Sequence, residues 1–435
     1  MSEQPRQTRV AIISGIRTPF CKAGGVYRDL LADDLGVYVL KELIARAPFD
    51  SEIIDEVIIG NVMQPAHAGN IARVIAVKAG LPVHIPAYTV NRNCASGMQA
   101  ILSAADRILL GQAQVILAGG VESMSNVPIL FPKQMGNFLA GIKKAKGWMA
   151  VLKMLLTIRP ALFMPQIPEL LDPLCGLTMG QTAELIIREL GVTREEQDAF
   201  AWESQKRACK AIENGRFKEE IVPVPLPLHY KATQLIDDGP RFNQTMESLQ
   251  KLRPAFDQLF GSVTAGNSSQ VTDGAAALFV MSEDQAKALG LRPLGYLRAS
   301  AEVGLDPCRM GLGPVYAMAK LLESEKLSLA DINLIEINEA FAGQVLAVLK
   351  ACASDEFAKK SLKRDKALGV IDRHKLNVNG GAIALGHPLG ASGVRMIFTL
   401  LLELNKLKSK GVRLGLASLC VGGGQGQACL LEVDP

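Results

Sequence analysis

Aromatic residues, histidine and unbroken apolar runs are all scarce in this chain. Its 435 residues include 2 Trp, 6 Tyr, 14 Phe and 5 His, so aromatic side chains make up only 5% of the whole. The longest apolar region, 149–165, is cut by Lys153 and Arg159 and falls short of the ~20 residues a membrane-spanning helix needs. Near the N-terminus, Val10-Ala11-Ile12-Ile13 is too short for a secretory h-region. A net charge of only +4 argues against a nucleic-acid partner. Eight cysteines are present, yet no C-x-x-C pair or zinc spacing joins them. That argues against a metal site or a disulfide framework, and for reduced thiols in a cytoplasmic setting. Acidic residues are missing altogether from 131 to 165, where Lys133, Lys143, Lys144, Lys146, Lys153 and Arg159 stand.

What remains is a chain 49% hydrophobic with 40 glycines, a composition suited to a closely packed α/β protein. Its length allows two or more domain-sized units. Over 9–125, strand patterns at 10–13, 56–59 and 115–117 alternate with helix patterns at 34–47 and 98–110. Over 294–435 the order recurs, with strands at 296–298, 334–337 and 412–418 and helices at 315–322 and 396–404. Such alternation predicts a mostly parallel sheet with covering helices. Duplication is visible in the residues themselves. Ala95-Ser96-Gly97 and Ala391-Ser392-Gly393 each open a helix, and Gly36-Val37-Tyr38 matches Gly313-Pro314-Val315-Tyr316. Two similar sheets could then pack together with a site between them.

The intervening stretch differs in character. It holds the basic segment, Pro165, Pro168 and Pro173, and helix patterns at 182–190 and 194–214. Thr193-Arg194-Glu195-Glu196 has the form of a capping box. Pro223-Val224-Pro225-Leu226-Pro227 predicts a rigid extended connection. The expected division is 1–125, an inserted 126–262 carrying the basic segment 131–165, a return at 263–293, and 294–435.

Chemistry concentrates at a few glycine-rich points. In Val90-Asn91-Arg92-Asn93-Cys94-Ala95-Ser96-Gly97, Cys94 falls on a strand-to-helix turn, where the helix dipole would favour a thiolate. A lone cysteine is as a rule a small buried residue. Two C-terminal stretches change that balance. Gly386-His387-Pro388-Leu389-Gly390 offers a histidine ill suited to a core, and Cys420-Val421-Gly422-Gly423-Gly424 sets a second thiol beside bare N–H groups.

Together with Asn338-Glu339-Ala340-Phe341-Ala342, these motifs resemble the thiolase family, in the same order and over nearly the whole chain. The resemblance implies a duplicated, five-layered αβαβα core with an inserted loop domain over the substrate. It implies Cys94 as the nucleophile, His387 as its base and Cys420 as a second acid/base. Asn338 would position a water that stabilises an enolate with His387, and the Cys94 and Gly422 N–H groups would hold the tetrahedral oxygen. No permanent cofactor or metal is implied, coenzyme A and acyl-CoA being substrates. Ser269 and Ala265 in Gly261–Ser269 resemble the pantetheine segment, Met179 belongs to the same wall, and Arg241 loosely matches an adenine-side arginine. Thr178 stands before Met179-Gly180 where the family often has histidine.

The basic segment resembles β subunits of fatty-acid oxidation multienzymes, whereas Asn338 and the Gly-His-Pro-Leu-Gly pattern follow the general short-chain type. Thiolysis of 3-ketoacyl-CoA is expected first, and condensation of two acetyl-CoA second. Cys420 argues against a carrier-protein ketosynthase, and the intact motifs against a purely non-catalytic scaffold. A homodimer or homotetramer is the expected assembly. On one helix, Phe138, Ile142, Ala145, Met149, Leu152 and Leu156 would share a face edged by lysines. That predicts docking through 133–159 on an anionic membrane or a hydratase–dehydrogenase α subunit.

Overall fold

The computed structural model describes residues 8–156, 158–164, 171–227, 232–409 and 411–435. Pro165 and Pro168 of the expected proline turn lie outside them. Val10–Arg17 (β1), Ala32–Ala45 (α1), Glu56–Gly60 (β2), Ile71–Lys78 (α2), Ala87–Val90 (β3), Ser96–Leu109 (α3) and Val115–Glu122 (β4) form the first run of elements. Lys133–Lys144 (α4), Trp148–Leu155 (α5), Met179–Glu189 (α6) and Arg194–Glu213 (α7) follow. Thr272–Ser282 (β5) leads back to the sheet. Gly295–Gly304 (β6), Gly313–Ser324 (α8), Leu334–Ile337 (β7), Ala342–Cys352 (α9), Leu389–Lys406 (α10), Arg413–Val421 (β8) and Gln425–Val433 (β9) complete the chain.

The sheet records the duplication directly. Its order is β3-β2-β4-β5-β1-β6-β9-β8-β7, with the two halves meeting at β1 and β6. In the first half β3, β2 and β4 run parallel, and β5 and β1 antiparallel. In the second half β7 and β8 are parallel, β9 and β6 antiparallel, and Leu376 bridges β7 where β3 bridges β2. The halves are thus joined edge to edge, through Val10↔Leu297, Ala11↔Tyr296 and Ile12↔Gly295. Twist accumulates along the strands of such a sheet, which lets its two ends face each other across a shared helical layer.

That layer is α3 and α10. Three apolar clusters separate the layers. One joins α1 and α2 to the first half, one surrounds α3 and α10 between both sets of strands, and one joins α8 and α9 to the second half. The result is α, β, α, β, α. Because α10 touches sheet on both sides, its first dozen residues are buried all round, which a one-faced surface helix never is. Where α3 and α10 start, their repeated glycines meet. A Cβ on Gly97 would lie 2.4 Å from Gly390 O, and one on Gly393 would lie 2.5 Å from Met98 N. The repeated small residues therefore let two helix N-termini approach at backbone distance, one from each half.

Helix α3 begins two residues earlier than its apolar spacing predicts, and Leu109 at its end is exposed rather than on the core face. The larger departure is in the basic segment. The expected single helix is two, broken at Ala145–Gly147, where Gly147 takes φ +90°. Helix α5 folds back on α4, with the Met154 side chain against Gly141. Two glycines cost a continuous helix roughly 2 kcal/mol, and the left-handed conformation open to Gly147 supplies the turn. Phe138 and Ile142 are consequently half-buried, while Met149, Leu152 and Leu156 point to solvent.

Candidate active site

Cys94 sits in a tight turn between β3 and α3. Ala95 N donates to Arg92 O (3.0 Å) and Ser96 N to Asn93 O (2.9 Å). The Ser96 hydroxyl donates to Asn93 O (2.7 Å) and accepts from Arg92 N (2.9 Å). These bonds force Asn93 to φ +44°, a left-handed backbone that asparagine tolerates better than most residues. They also occupy the first N–H groups that would otherwise face a thiolate. The expectation of a dipole-stabilised thiolate is accordingly not met. Burial pushes the Cys94 thiol above its ordinary value, outweighing hydrogen bonds from the Gly422 and Cys94 N–H groups to its sulfur.

The thiol opens on a cavity of about 390 Å³ lined by residues of both halves and of the inserted region. Cys94, His387, Cys420, Gly422, Met179 and Ser269 all line it, although they come from widely separated parts of the sequence. Asn338 lies behind His387. Ala265 and Arg241 are exposed and outside the lining. The rest of the wall is mostly apolar and includes Val62, Met63, Leu174, Met310 and Phe341.

His387 is held at both ring nitrogens. Its Nδ1 is 2.6 Å from Ser392 Oγ, and the Ser392 hydroxyl donates to Pro388 O at 2.9 Å. With its proton committed to that carbonyl, Ser392 accepts from Nδ1–H, so the network assigns the lone pair to Nε2. Asn338 Nδ2 lies 3.3 Å from that nitrogen. Desolvation first, then the charge of buried Arg395, lowers the imidazole from 6.5 to about 4. The ring is therefore neutral over the whole physiological range, with the Nε2 lone pair free to accept a proton. Asn338 Oδ1 is buried and has no protein partner among the described residues, which suits an acceptor for water.

Cys420 closes the cavity floor, 1% exposed near the end of β8. Burial and the neighbouring Cys94 push its thiol well up, so it too rests protonated. The site at rest thus holds two neutral thiols and a neutral imidazole.

Four residues with structural claims on the site escape sequence reasoning. Ser392 was visible only as part of the repeat. Glu122, at the end of β4, is buried and raised to about 7 by desolvation. Its carboxylate accepts from Asn61 Nδ2 (3.0 Å), Val62 N (3.1 Å), Met63 N (2.9 Å) and Gly390 N (2.9 Å), tying a cavity wall to the His387 loop. Asn93 and Asp172 both bond the glycine loop. Thr178, in the place of the family's histidine, caps α6 through a capping box with Gln181.

Comparisons with known proteins bear on the family and the fold. Residues 10–284 match the thiolase N-terminal domain and residues 291–433 the thiolase C-terminal domain. The 3-ketoacyl-CoA thiolase of Pectobacterium carotovorum is 44% identical over 431 residues, covering 99% of this chain and 98% of the relative. That of Yersinia pestis is 43% identical over 427 residues, covering 98% and 97%. Among solved structures, the Bacillus anthracis acetyl-CoA acetyltransferase superposes with a TM-score of 0.83 at 39% identity, covering 98% of this chain and 99% of its own. Human mitochondrial 3-ketoacyl-CoA thiolase in complex with CoA gives 0.82 at 35%, covering 99% of each chain. Both halves of the chain are matched by family domains, and its fold by solved thiolase structures, so this chain belongs to the thiolase family.

Proposed function

We infer that the chain is a 3-ketoacyl-CoA thiolase, cleaving 3-ketoacyl-CoA with CoA to acetyl-CoA and an acyl-CoA two carbons shorter. The observation that carries this reading is the convergence of Cys94, His387 and Cys420 on one apolar cavity. Cys94 passes its proton to His387 Nε2 and attacks the 3-keto carbon. The Cys94 and Gly422 N–H groups hold the resulting oxyanion, since both already point at the sulfur. The C2–C3 bond then breaks, leaving an acyl group on Cys94 and an acetyl-CoA enolate. A water on Asn338, with His387, steadies the enolate oxygen. Cys420, protonated at rest, delivers its proton to C2. In the second half-reaction the Cys420 thiolate takes the proton of incoming CoA, whose sulfur attacks the acyl thioester and frees the Cys94 thiolate, which takes its proton back from His387. One thioester replaces another, so the exchange is nearly isoenergetic.

Ser269 and Met179 are assigned to the pantetheine arm, and Ala265 and Arg241 to its outer, exposed course. Segment 126–262 is assigned to cover the site, and the eight free cysteines suit a cytoplasmic location. Condensation of two acetyl-CoA is the second reading, favoured by the likeness to an acetyl-CoA acetyltransferase. The mostly apolar wall favours longer acyl chains instead. Measuring kcat/KM for thiolysis of 3-ketoacyl-CoAs from about four to sixteen carbons decides between them, at roughly 1 kcal/mol per accommodated methylene. A rise with length supports the degradative reading. Activity confined to acetoacetyl-CoA replaces it with the biosynthetic one, and no turnover at any length leaves a scaffold.

Among the described residues no helix is long and apolar enough to cross a membrane. The hairpin α4–α5 nevertheless exposes Trp148 (75%), Leu156 (79%) and Met149 (63%) beside exposed Lys143, Lys144 and Lys146. It docks, in this reading, on an anionic surface, either lipid or the acidic face of an α subunit. Charge reversal at these three lysines is expected to weaken binding to anionic vesicles or to a hydratase–dehydrogenase subunit while short-chain thiolysis survives. Added salt should weaken the same binding. Wild-type protein that binds neither at low salt removes the docking role. The half-buried edge strand β3 supports pairing with a second copy, as a homodimer or as half of a homotetramer.

A further inference from the structure

We propose that Asn93 and Asp172 are positioning residues that clamp the peptide unit Gly422–Gly423, fixing the Gly422 backbone from its C-terminal side and so holding the adjoining Gly422 N–H on the reacting carbonyl oxygen. The proposal rests on the assignment of Gly422 to the oxyanion site made above. Asn93 Nδ2 donates to Gly422 O at 2.8 Å. Gly423 N donates to Asp172 Oδ2 at 2.9 Å. The carbonyl of 422 and the N–H of 423 belong to one planar group. Both ends of that plane are therefore fixed, one by the residue preceding the nucleophile and the other by the inserted region.

Such a clamp acts where the ladder stops, since Val421 pairs with Gln425 and the three glycines between them have no ladder partner. Gly422, Gly423 and Gly424 follow one another, the latter two at φ +84° and +74°. Consecutive glycines leave each peptide plane free to swing against the next. Crowding does not explain Gly422, since an added Cβ would meet nothing nearer than Asn93 Nδ2 and Met179 Sδ, both at 3.7 Å. The glycine loop leaves open space for the acyl group and gives up its own rigidity. Leu305 N holds the far end of the loop through Gly424 O at 2.8 Å. At the near end the β8–β9 ladder stops at Val421↔Gln425, and the peptide unit after Gly422 is held by the Asn93 and Asp172 side chains.

Both clamps are themselves braced. Asn93 N donates to Asn91 Oδ1 at 2.9 Å, and the left-handed backbone at Asn93 carries its side chain out of the Cys94 turn. Asp172 is 2% exposed, and its second oxygen accepts from Leu174 N at 2.8 Å. A pair of backbone bonds closes the turn around it, Asp172 N to Leu177 O (2.9 Å) and Gly176 N to Asp172 O (2.8 Å). A buried carboxylate spent on two backbone N–H groups, with no cation bonded to it among the described residues, is expensive unless it fixes something. Here it fixes the loop beside the nucleophile.

The test compares two reactions of the same sulfur in Asn93→Gly, Asp172→Ala and Asp172→Asn. Glycine at 93 keeps the left-handed backbone and removes only the amide. Acylation of Cys94 by an acyl-CoA passes through an oxyanion, whereas alkylation by iodoacetamide displaces iodide and needs none. Single-turnover acylation is expected to slow by roughly 10–100-fold in Asn93→Gly and Asp172→Ala. The KM for acyl-CoA and the alkylation rate should stay within about threefold of wild type, since neither depends on the tetrahedral oxygen. Asp172→Asn keeps one carbonyl acceptor and should recover part of the loss. Unchanged acylation, or acylation and alkylation falling together, overturns the clamp. Failure of the wild type to form any acyl-enzyme instead overturns the oxyanion assignment beneath it.

Discussion

Cys420→Ala is expected to form the acyl-enzyme from acyl-CoA at close to the wild-type rate while losing carbon–carbon cleavage by roughly 10²–10⁴-fold. Cys94→Ala is expected to lose both. The asymmetry follows from where the two thiols stand. Cys94 shares its turn with the N–H groups of an oxyanion site and opens on the cavity, whereas Cys420 is almost wholly buried. Burial keeps Cys420 protonated at rest, which suits the donor that quenches an enolate. Transfer of an acyl group between sulfurs generates no carbanion, and in the acylation direction the CoA thiolate is a good enough leaving group to depart before Cys420 protonates it. Quenched-flow acylation with labelled acyl-CoA, set beside steady-state thiolysis of a 3-ketoacyl-CoA, separates the two steps. Equal loss of both in the two variants would show that the division of labour is wrong.

The second large effect is at His387. His387→Ala should slow Cys94 acylation by roughly 10²–10⁴-fold. The pH dependence carries more information. A base must be neutral to accept a proton, and burial lowers this imidazole to about 4. The acidic limb of kcat/KM is therefore expected near pH 4 rather than near the ordinary 6.5. The same shift governs stability. Between pH 6.5 and about 4 the unfolded chain binds a proton on this histidine and the folded chain does not. Its contribution is fully present above 6.5 and is lost as the pH falls towards 4, by about 3 kcal/mol in all. Thermal unfolding of His387→Gln should accordingly fall less steeply with acid over that window. An acidic limb near 6.5 in the wild type would place His387 in a more solvated setting than the structure gives it.

Much of this was legible in the residues, for identifiable reasons. Cys94, His387 and Cys420 stand beside glycines in stretches whose composition is unsuited to ordinary core packing, and Asn338 heads the run Asn338-Glu339-Ala340-Phe341-Ala342. The duplication was legible because close helix contacts demand small residues, and Gly97 and Gly393 meet that demand at matching places. Protonation states were not legible, since desolvation is set by neighbours hundreds of residues away. A strand-to-helix turn promised a stabilised thiolate, but the turn spends its first N–H groups on Arg92 and Asn93 carbonyls. Asp172 gave no signal. An aspartate beside a proline reads as a solvated turn, and only the fold sets it against Gly423. In the basic segment the apolar spacing fitted one helix well, and the spacing alone could not show that Gly147 would turn it back.

The central claim is that one sulfur carries the acyl group while another moves the proton. Mixing wild-type enzyme with a 3-ketoacyl-CoA in the absence of free CoA, quenching in acid within milliseconds, and mapping the protein by mass tests it most directly. The account predicts one equivalent of acetyl-CoA released per site and an acyl group, two carbons shorter than the substrate, bound as a thioester to Cys94 alone. Acyl label on Cys420, or acetyl-CoA released with no covalent adduct on the protein, would contradict it.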